Sequence, residues 1–130
     1  MLRVVLLFGC ALLFLGCGET PSCDDKESKK LVMESVEKTV KTRLAARLNP
    51  SIVGDEWRNA LKPEEVEMVE FNYKEYGPVL ENITQTAEND KMKTSECSAK
   101  LRFRNGQVFN LYYKLQKDSN GKLYADVEWR

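Results

Sequence analysis

The chain has 130 residues, 42% hydrophobic and 31% charged, with 20 basic residues set against 20 acidic ones and no histidine. That length supports one domain with one modest core. Balanced charge removes the electrostatic pull expected of a nucleic-acid binder, and the missing histidine removes the commonest general base, the commonest metal ligand and every Ser/His or Cys/His pairing.

The chain opens with Met1, Leu2 and Arg3, then an uncharged apolar run over residues 4–15, then Gly16 and Cys17. A positive start, an apolar run too short to stay in a bilayer as a helix and a small residue at its end predict an export signal over residues 1–16. Phe14-Leu15-Gly16-Cys17 resembles the box at which bacterial lipoproteins are cleaved and acylated on cysteine. Phe14 stands where that family usually has Leu, and Leu7-Phe8-Gly9-Cys10 forms a rival box preceded by too short an apolar run. The resemblance implies that Cys17 carries the lipid and becomes the first mature residue, so the membrane is a partner through a fatty-acyl anchor. Gly18, not Asp, follows Cys17, and similarity to enterobacterial sorting implies the outer membrane, facing the periplasm.

With Cys10 discarded and Cys17 lipidated, Cys23 and Cys97 remain, and an oxidising compartment pairs them. A structural disulfide is the expectation, because nothing in the chain has the Cys-x-x-Cys spacing of a redox pair. Closing so long a segment restricts the unfolded chain by up to roughly 4–5 kcal/mol.

Residues 17–23 read as a short lipidated tether and residues 24–130 as a single α+β domain. Asp24 and Glu27 have capping-box spacing, so a helix is expected to start there. Val32, Met33, Val36, Val40, Leu44 and Leu48 share one side of that helix, with Lys29, Lys30, Glu34, Lys38 and Lys41 mainly opposite. Arg43 and Arg47 fall on the apolar arc near its end, where they can snorkel outward beside the C-terminal carbonyls. Asn49-Pro50 stops the helix. Ile52, Val53, Trp57 and Leu61 suggest a short apolar turn. Pro63-Glu64-Glu65 then begins a second helix through Val66, Val69, Tyr73 and Tyr76, ended by Gly77-Pro78, with a strand through Val66, Met68 and Glu70 as the rival reading.

Beyond Pro78 the pattern alternates, and strands are expected near residues 79–87, 95–104, 107–116 and 122–129, joined by turn-forming residues into an antiparallel meander. Cys97, Ala99, Leu101 and Phe103 share one face, as do Phe109, Leu111, Tyr113 and Leu115, and Leu123, Ala125, Val127 and Trp129. Keeping these faces together requires an odd loop, Arg104-Asn105-Gly106, with Gly106 left-handed in a bulge. The expected rows are Leu101, Phe109 and Trp129; Ala99, Leu111 and Val127; and Cys97, Tyr113 and Ala125. This register turns Cys97 toward the long helix, within reach of Cys23. The fold class is therefore α+β: a long N-terminal helix packed on a curved four-stranded antiparallel meander, with one disulfide.

On the opposite face the same register gives the rows Lys100, Asn110 and Glu128, and Ser98, Tyr112 and Asp126. Lys100, Arg102, Tyr112 and Tyr124 form a candidate binding face, against the plainer reading of a solvated surface of mixed charge. The acidic strand would repel phosphates, so no nucleic-acid partner is expected. No phosphate-cradling loop, nucleophile elbow or metal-ligand spacing appears, so no catalytic residue, metal or cofactor is assigned. Cys97-Ser98-Ala99-Lys100-Leu101, Tyr112-Tyr113 and Tyr124-Ala125-Asp126-Val127 resemble small exported proteobacterial proteins with an early Cys before a long helix. That resemblance implies a helix-on-sheet fold, cystatin-like or akin to the cone-shaped nuclear-transport-factor folds, and donates no active site.

The functional expectation is a non-catalytic accessory or interaction module of the cell envelope with a protein partner. The alternative is an inhibitor, immunity or exclusion lipoprotein directed at a hydrolase, a toxin or an incoming mobile element. An enzyme would need a carboxylate-only or Ser/Lys site.

Overall fold

A computed structural model describes residues 19–130. Cys17 and the expected signal segment lie outside the described residues. Among those described, no helix is long and apolar enough to cross a membrane.

Helix α1 spans Lys26–Leu48. Its cap is Asp25, one residue later than the Asp24/Glu27 box expected from sequence: the Asp25 carboxylate accepts the Ser28 N–H at 2.8 Å. Asp24 is drawn aside by the Ser22 hydroxyl, which donates to it at 2.7 Å. Asn49 ends the helix in extended conformation, as the following Pro50 requires.

A 3-10 turn over Gly54–Glu56 leads into a one-turn helix α2, Trp57–Ala60, and then into α3, Pro63–Tyr76. The helical reading of this segment holds and the rival strand does not form. Pro63 occupies the first turn, and the Glu65 carboxylate accepts the Lys62 N–H at 3.1 Å. Gly77 closes α3 in the left-handed region, at φ 49°. Arg104 lies directly over this glycine, its Nε only 2.5 Å from where a Cβ would stand. The Arg104 N–H also donates to the Tyr76 carbonyl at 2.9 Å, so the end of α3 is pinned to a turn of the sheet.

The sheet is open and antiparallel, in the order β1-β2-β3-β4, with strands Val79–Asn89, Thr94–Arg102, Val108–Lys117 and Leu123–Trp129. Two bulges interrupt β1, the first beside Asn82 at φ 52°, where the strand bends. The β2–β3 register is the expected one: Cys97 faces Tyr113, Ala99 faces Leu111 and Leu101 faces Phe109. Gly106 stands at φ 91°, and Phe103 N–H donates to the Gln107 carbonyl at 2.9 Å.

The β3–β4 register departs from expectation by two residues. Leu111 faces Trp129, Tyr113 faces Val127 and Leu115 faces Ala125. The cause lies in the turn: the Asp118 carboxylate accepts the N–H groups of Asn120 and Lys122, each at 2.9 Å, which makes Asp118 and Lys122 the closing pair. A shift of two leaves every side chain on its expected face while changing its neighbours.

Two apolar clusters hold the fold. The larger joins Val32 and Val36 of α1 to Cys97, Ala99, Leu101, Phe103, Leu111, Tyr113 and Leu115 of the sheet. The smaller joins Leu44 and Ala45 to Trp57, Leu61 and Val69. Helix α1 thus buries two flanks, and Lys41, expected on its solvent side, is buried on the flank that faces α3. Its Nζ donates to Glu37 and Glu70 at 2.5 Å each and stands 5.1 Å from the centre of the Tyr73 ring. Burial alone would lower the Lys41 pKa, but these two carboxylates outweigh it and raise it. Glu70, bonded to Lys41 and also to Arg58, is held below the usual carboxylate range.

A disulfide joins Cys23 to Cys97, with Cα atoms 5.8 Å apart. Around it residues 20–23 are fastened to the sheet. The Ser95 hydroxyl donates to the Pro21 carbonyl at 2.6 Å, the Tyr113 hydroxyl to the Cys23 carbonyl at 2.9 Å, and the Thr20 hydroxyl to Asp90 at 2.7 Å.

Candidate functional site

The shifted β4 register rearranges the outer face of the sheet. Its rows are Lys100, Asn110 and Arg130; Ser98, Tyr112 and Glu128; Glu96, Lys114 and Asp126; and Thr94, Gln116 and Tyr124. Arg130 therefore takes the place expected for Glu128 beside Lys100 and Asn110, and the Glu96, Lys114 and Asp126 row alternates in sign. Lys100 lies between Glu81 and Asn110, and the Arg102 Nε bonds the Glu81 carboxylate at 2.9 Å. Tyr112 lies under the Arg130 guanidinium, 4.2 Å from ring centre to Cζ. Tyr124 sits at the other end of the sheet, its hydroxyl donating to Asp118 at 3.3 Å and its ring 5.2 Å from Lys122 Nζ. The four residues do not converge on one point. Among the described residues, no cluster of three or more His, Cys, Asp or Glu stands close enough to hold a metal.

A different concavity is built at the end of the sheet where α1 and α3 both terminate. Four aromatic rings run in series along its floor. Tyr76 and Phe103 have centroids 6.1 Å apart at 87°, Phe103 and Phe109 5.5 Å at 86°, and Phe109 and Trp129 5.7 Å at 66°. These edge-to-face angles set the positive edge of one ring against the negative face of the next. Val40 and Leu44 of α1 close one wall, and the cleft between wall and floor holds about 110 Å³.

The rim is cationic. Arg43 and Arg47, one turn apart on α1, border the cleft, and Arg43 Cζ stands 5.5 Å from the centre of the Trp129 ring. Gln107 supplies an amide, and no carboxylate among the described residues lines the cleft. Chemically the arrangement offers an apolar slot beside two guanidinium forks, a pairing that fits an apolar group carrying a negative charge.

In the sequence these parts stand separately, Arg43 and Arg47 as snorkelling side chains and Tyr76 as one of the helically spaced residues of the second helix. Their convergence depends on the β4 register, which sets Trp129 beside Leu111 and diagonal to Phe109, and on Arg104 binding the Tyr76 carbonyl. The available signal was two arginines at helical spacing inside an apolar arc.

The cleft and the fastened N-terminal segment occupy opposite ends of the domain. Residues 20–23 pack where β2 begins, at Ser95, while the cleft lies where β2 ends, at Phe103, a separation of about 26 Å along an extended strand. No protein-family model matches the chain, and no curated protein or solved structure matches it either.

Proposed function

We propose that the protein is a non-catalytic interaction module of the bacterial cell envelope, fastened by a lipid on Cys17 to the outer membrane and holding its domain in the periplasm, where it engages a protein partner. The observation that carries this reading is the polarity of the domain. Residues 20–23, a few positions after Cys17, are bonded to one end of the sheet, and the aromatic, cation-rimmed cleft opens at the other. A lipid at residue 17 would hold the first end against the bilayer and leave the cleft facing away from it. Trp, Tyr and Arg side chains gathered around one concavity are the residue types that dominate binding energy at protein interfaces.

The test is metabolic labelling with a palmitate analogue, followed by separation of inner and outer membranes. Wild-type protein is expected to take the label and fractionate with outer membrane, whereas Cys17→Ser is expected to remain unlabelled and leave the membrane fraction. Unlabelled wild type with an intact Met1 overturns the anchored reading, and turnover of model substrates by the purified protein alone overturns the non-catalytic one.

A further inference from the structure

We infer that the cleft between α1 and the aromatic row binds the free C-terminus of a partner polypeptide that ends in an apolar residue, the side chain entering the slot and the terminal carboxylate lying between Arg43 and Arg47. This rests on the binding reading above and gives it a ligand class.

Charge comes first. Arg43 and Arg47 are separated by one helical turn, so their side chains project from the same face, and like charges at that spacing disfavour a helix. Neither guanidinium has a carboxylate partner among the described residues, although α1 and α3 are rich in Glu, and none lines the cleft. An incoming carboxylate would accept from both forks and relieve their repulsion.

Size comes second. A cleft of about 110 Å³ is of the order of the cavity that takes one benzene, about 150 Å³. That matches a single Leu- or Phe-sized side chain and would enclose only part of a long acyl chain. The occupant therefore carries its charge close to a short apolar group.

Covalent geometry then selects a chain terminus. In an extended peptide an adjacent acidic side chain points to the opposite face and one two positions away stands about 7 Å along the strand, so neither is as close to the buried group as a carboxylate on the same Cα. A terminal carboxylate shares its Cα with the buried side chain, matching a rim where Arg43 stands 5.5 Å from the Trp129 ring. Gln107 borders the same cleft and can hydrogen-bond the last peptide amide.

The test uses full-length protein reconstituted in phosphatidylcholine vesicles, with fluorescence anisotropy of fluorescein-labelled Gly-Ser-Gly-Phe bearing a free C-terminus. Binding is expected, weakened at least tenfold in the C-terminal amide and about tenfold by either Arg43→Gln or Arg47→Gln. Both arginines are exposed, so these variants are expected to melt as wild type does, and Leu at the last position is expected to bind better than Ser. Equal binding of the acid and the amide overturns the proposal. So does equal binding by the Arg43→Gln/Arg47→Gln double variant, or displacement of the peptide by decanoate at equal concentration. Failure of peptide binding by acylated protein sinks this inference alone, whereas peptide binding by protein that takes no acyl label sinks the anchor alone.

Discussion

The Tyr113 hydroxyl donates at 2.9 Å to the backbone carbonyl of Cys23, a residue 90 positions earlier in the chain and one end of the disulfide. Burial, with a smaller contribution from the negative charge of Asp24, pushes the Tyr113 phenol up to about 12. A pKa raised by folding favours the protonated, hydrogen-bonding form. Its stabilisation is complete below the ordinary tyrosine value of about 10 and is lost as pH rises toward 12. Tyr73, raised to about 12 mainly by burial and then by Glu37, behaves the same way. Tyr113→Phe is expected to cost about 1 kcal/mol at neutral pH and to flatten, without abolishing, the alkaline fall in stability. Urea midpoints measured across that range check it, and an unchanged alkaline slope would count against the bond.

The disulfide closes a segment with a sequence separation of 74. Reduction, or Cys23→Ser with Cys97→Ser, is expected to lower stability by as much as roughly 4–5 kcal/mol. Denaturant midpoints with and without reductant measure it. The double-serine variant is expected to show no further response to reductant.

Lys41 carries the contact between α1 and α3 through Glu70. Lys41→Ala is expected to cost about 2 kcal/mol, below the roughly 3–5 kcal/mol of a fully buried broken pair, because Glu37 and Glu70 keep 45% and 38% side-chain exposure and are partly resolvated. Lys41→Met, which keeps an unbranched apolar stem at this buried position, is expected to recover more than half of that. The depressed Glu70 pKa means that its contribution is present above about pH 4.5 and lost on acidification through the lower folded value. A thermal melt series from neutral to acid pH is expected to converge for wild type and Lys41→Met.

Lys114 lies across from Glu96 on one side and Asp126 on the other. Lys114→Glu would set three carboxylates in one row and is expected to cost about 1 kcal/mol, most of it restored by adding Asp126→Lys. In a register shifted by two residues Lys114 would face Tyr124, and the second substitution, then only diagonal to position 114, would rescue far less. A double-mutant cycle on urea midpoints distinguishes the two.

Ser28 is fully buried in the first turn of α1, and its hydroxyl finds no hydrogen-bond partner among the described residues. Ser28→Ala removes that orphan and improves helix propensity, so a gain of about 0.5–1 kcal/mol is expected. A loss of stability on the same scale would show that the hydroxyl is bonded.

The strands, the α3 helix and the β2–β3 register were legible because each had a local cause: alternation after Pro78, Pro63 and Gly77 as stops, and Gly106 as the left-handed residue of an odd loop. The β3–β4 register was legible only in parity. Asp118-Ser119-Asn120-Gly121 permits closing pairs two residues apart, both of which keep Leu123, Ala125, Val127 and Trp129 on one face, and backbone bonds to the Asp118 carboxylate decide between them. Lys41 was misplaced for a different reason. A helical wheel assigns one buried arc, whereas α3 covers a second flank of α1, and that packing partner is not encoded in α1's own periodicity. The cleft needed both the register and the docking of α3, so its residues were readable singly and not as a group.

The crosslink at Cys23 also settles how the domain bears mechanical load. Tension applied to the chain ahead of Cys23 divides there between the backbone that leads into α1 and a covalent bond into β2, an inner strand hydrogen-bonded on both sides. The helix that walls the cleft therefore shares a pull from the N-terminal side with the sheet and does not carry it alone.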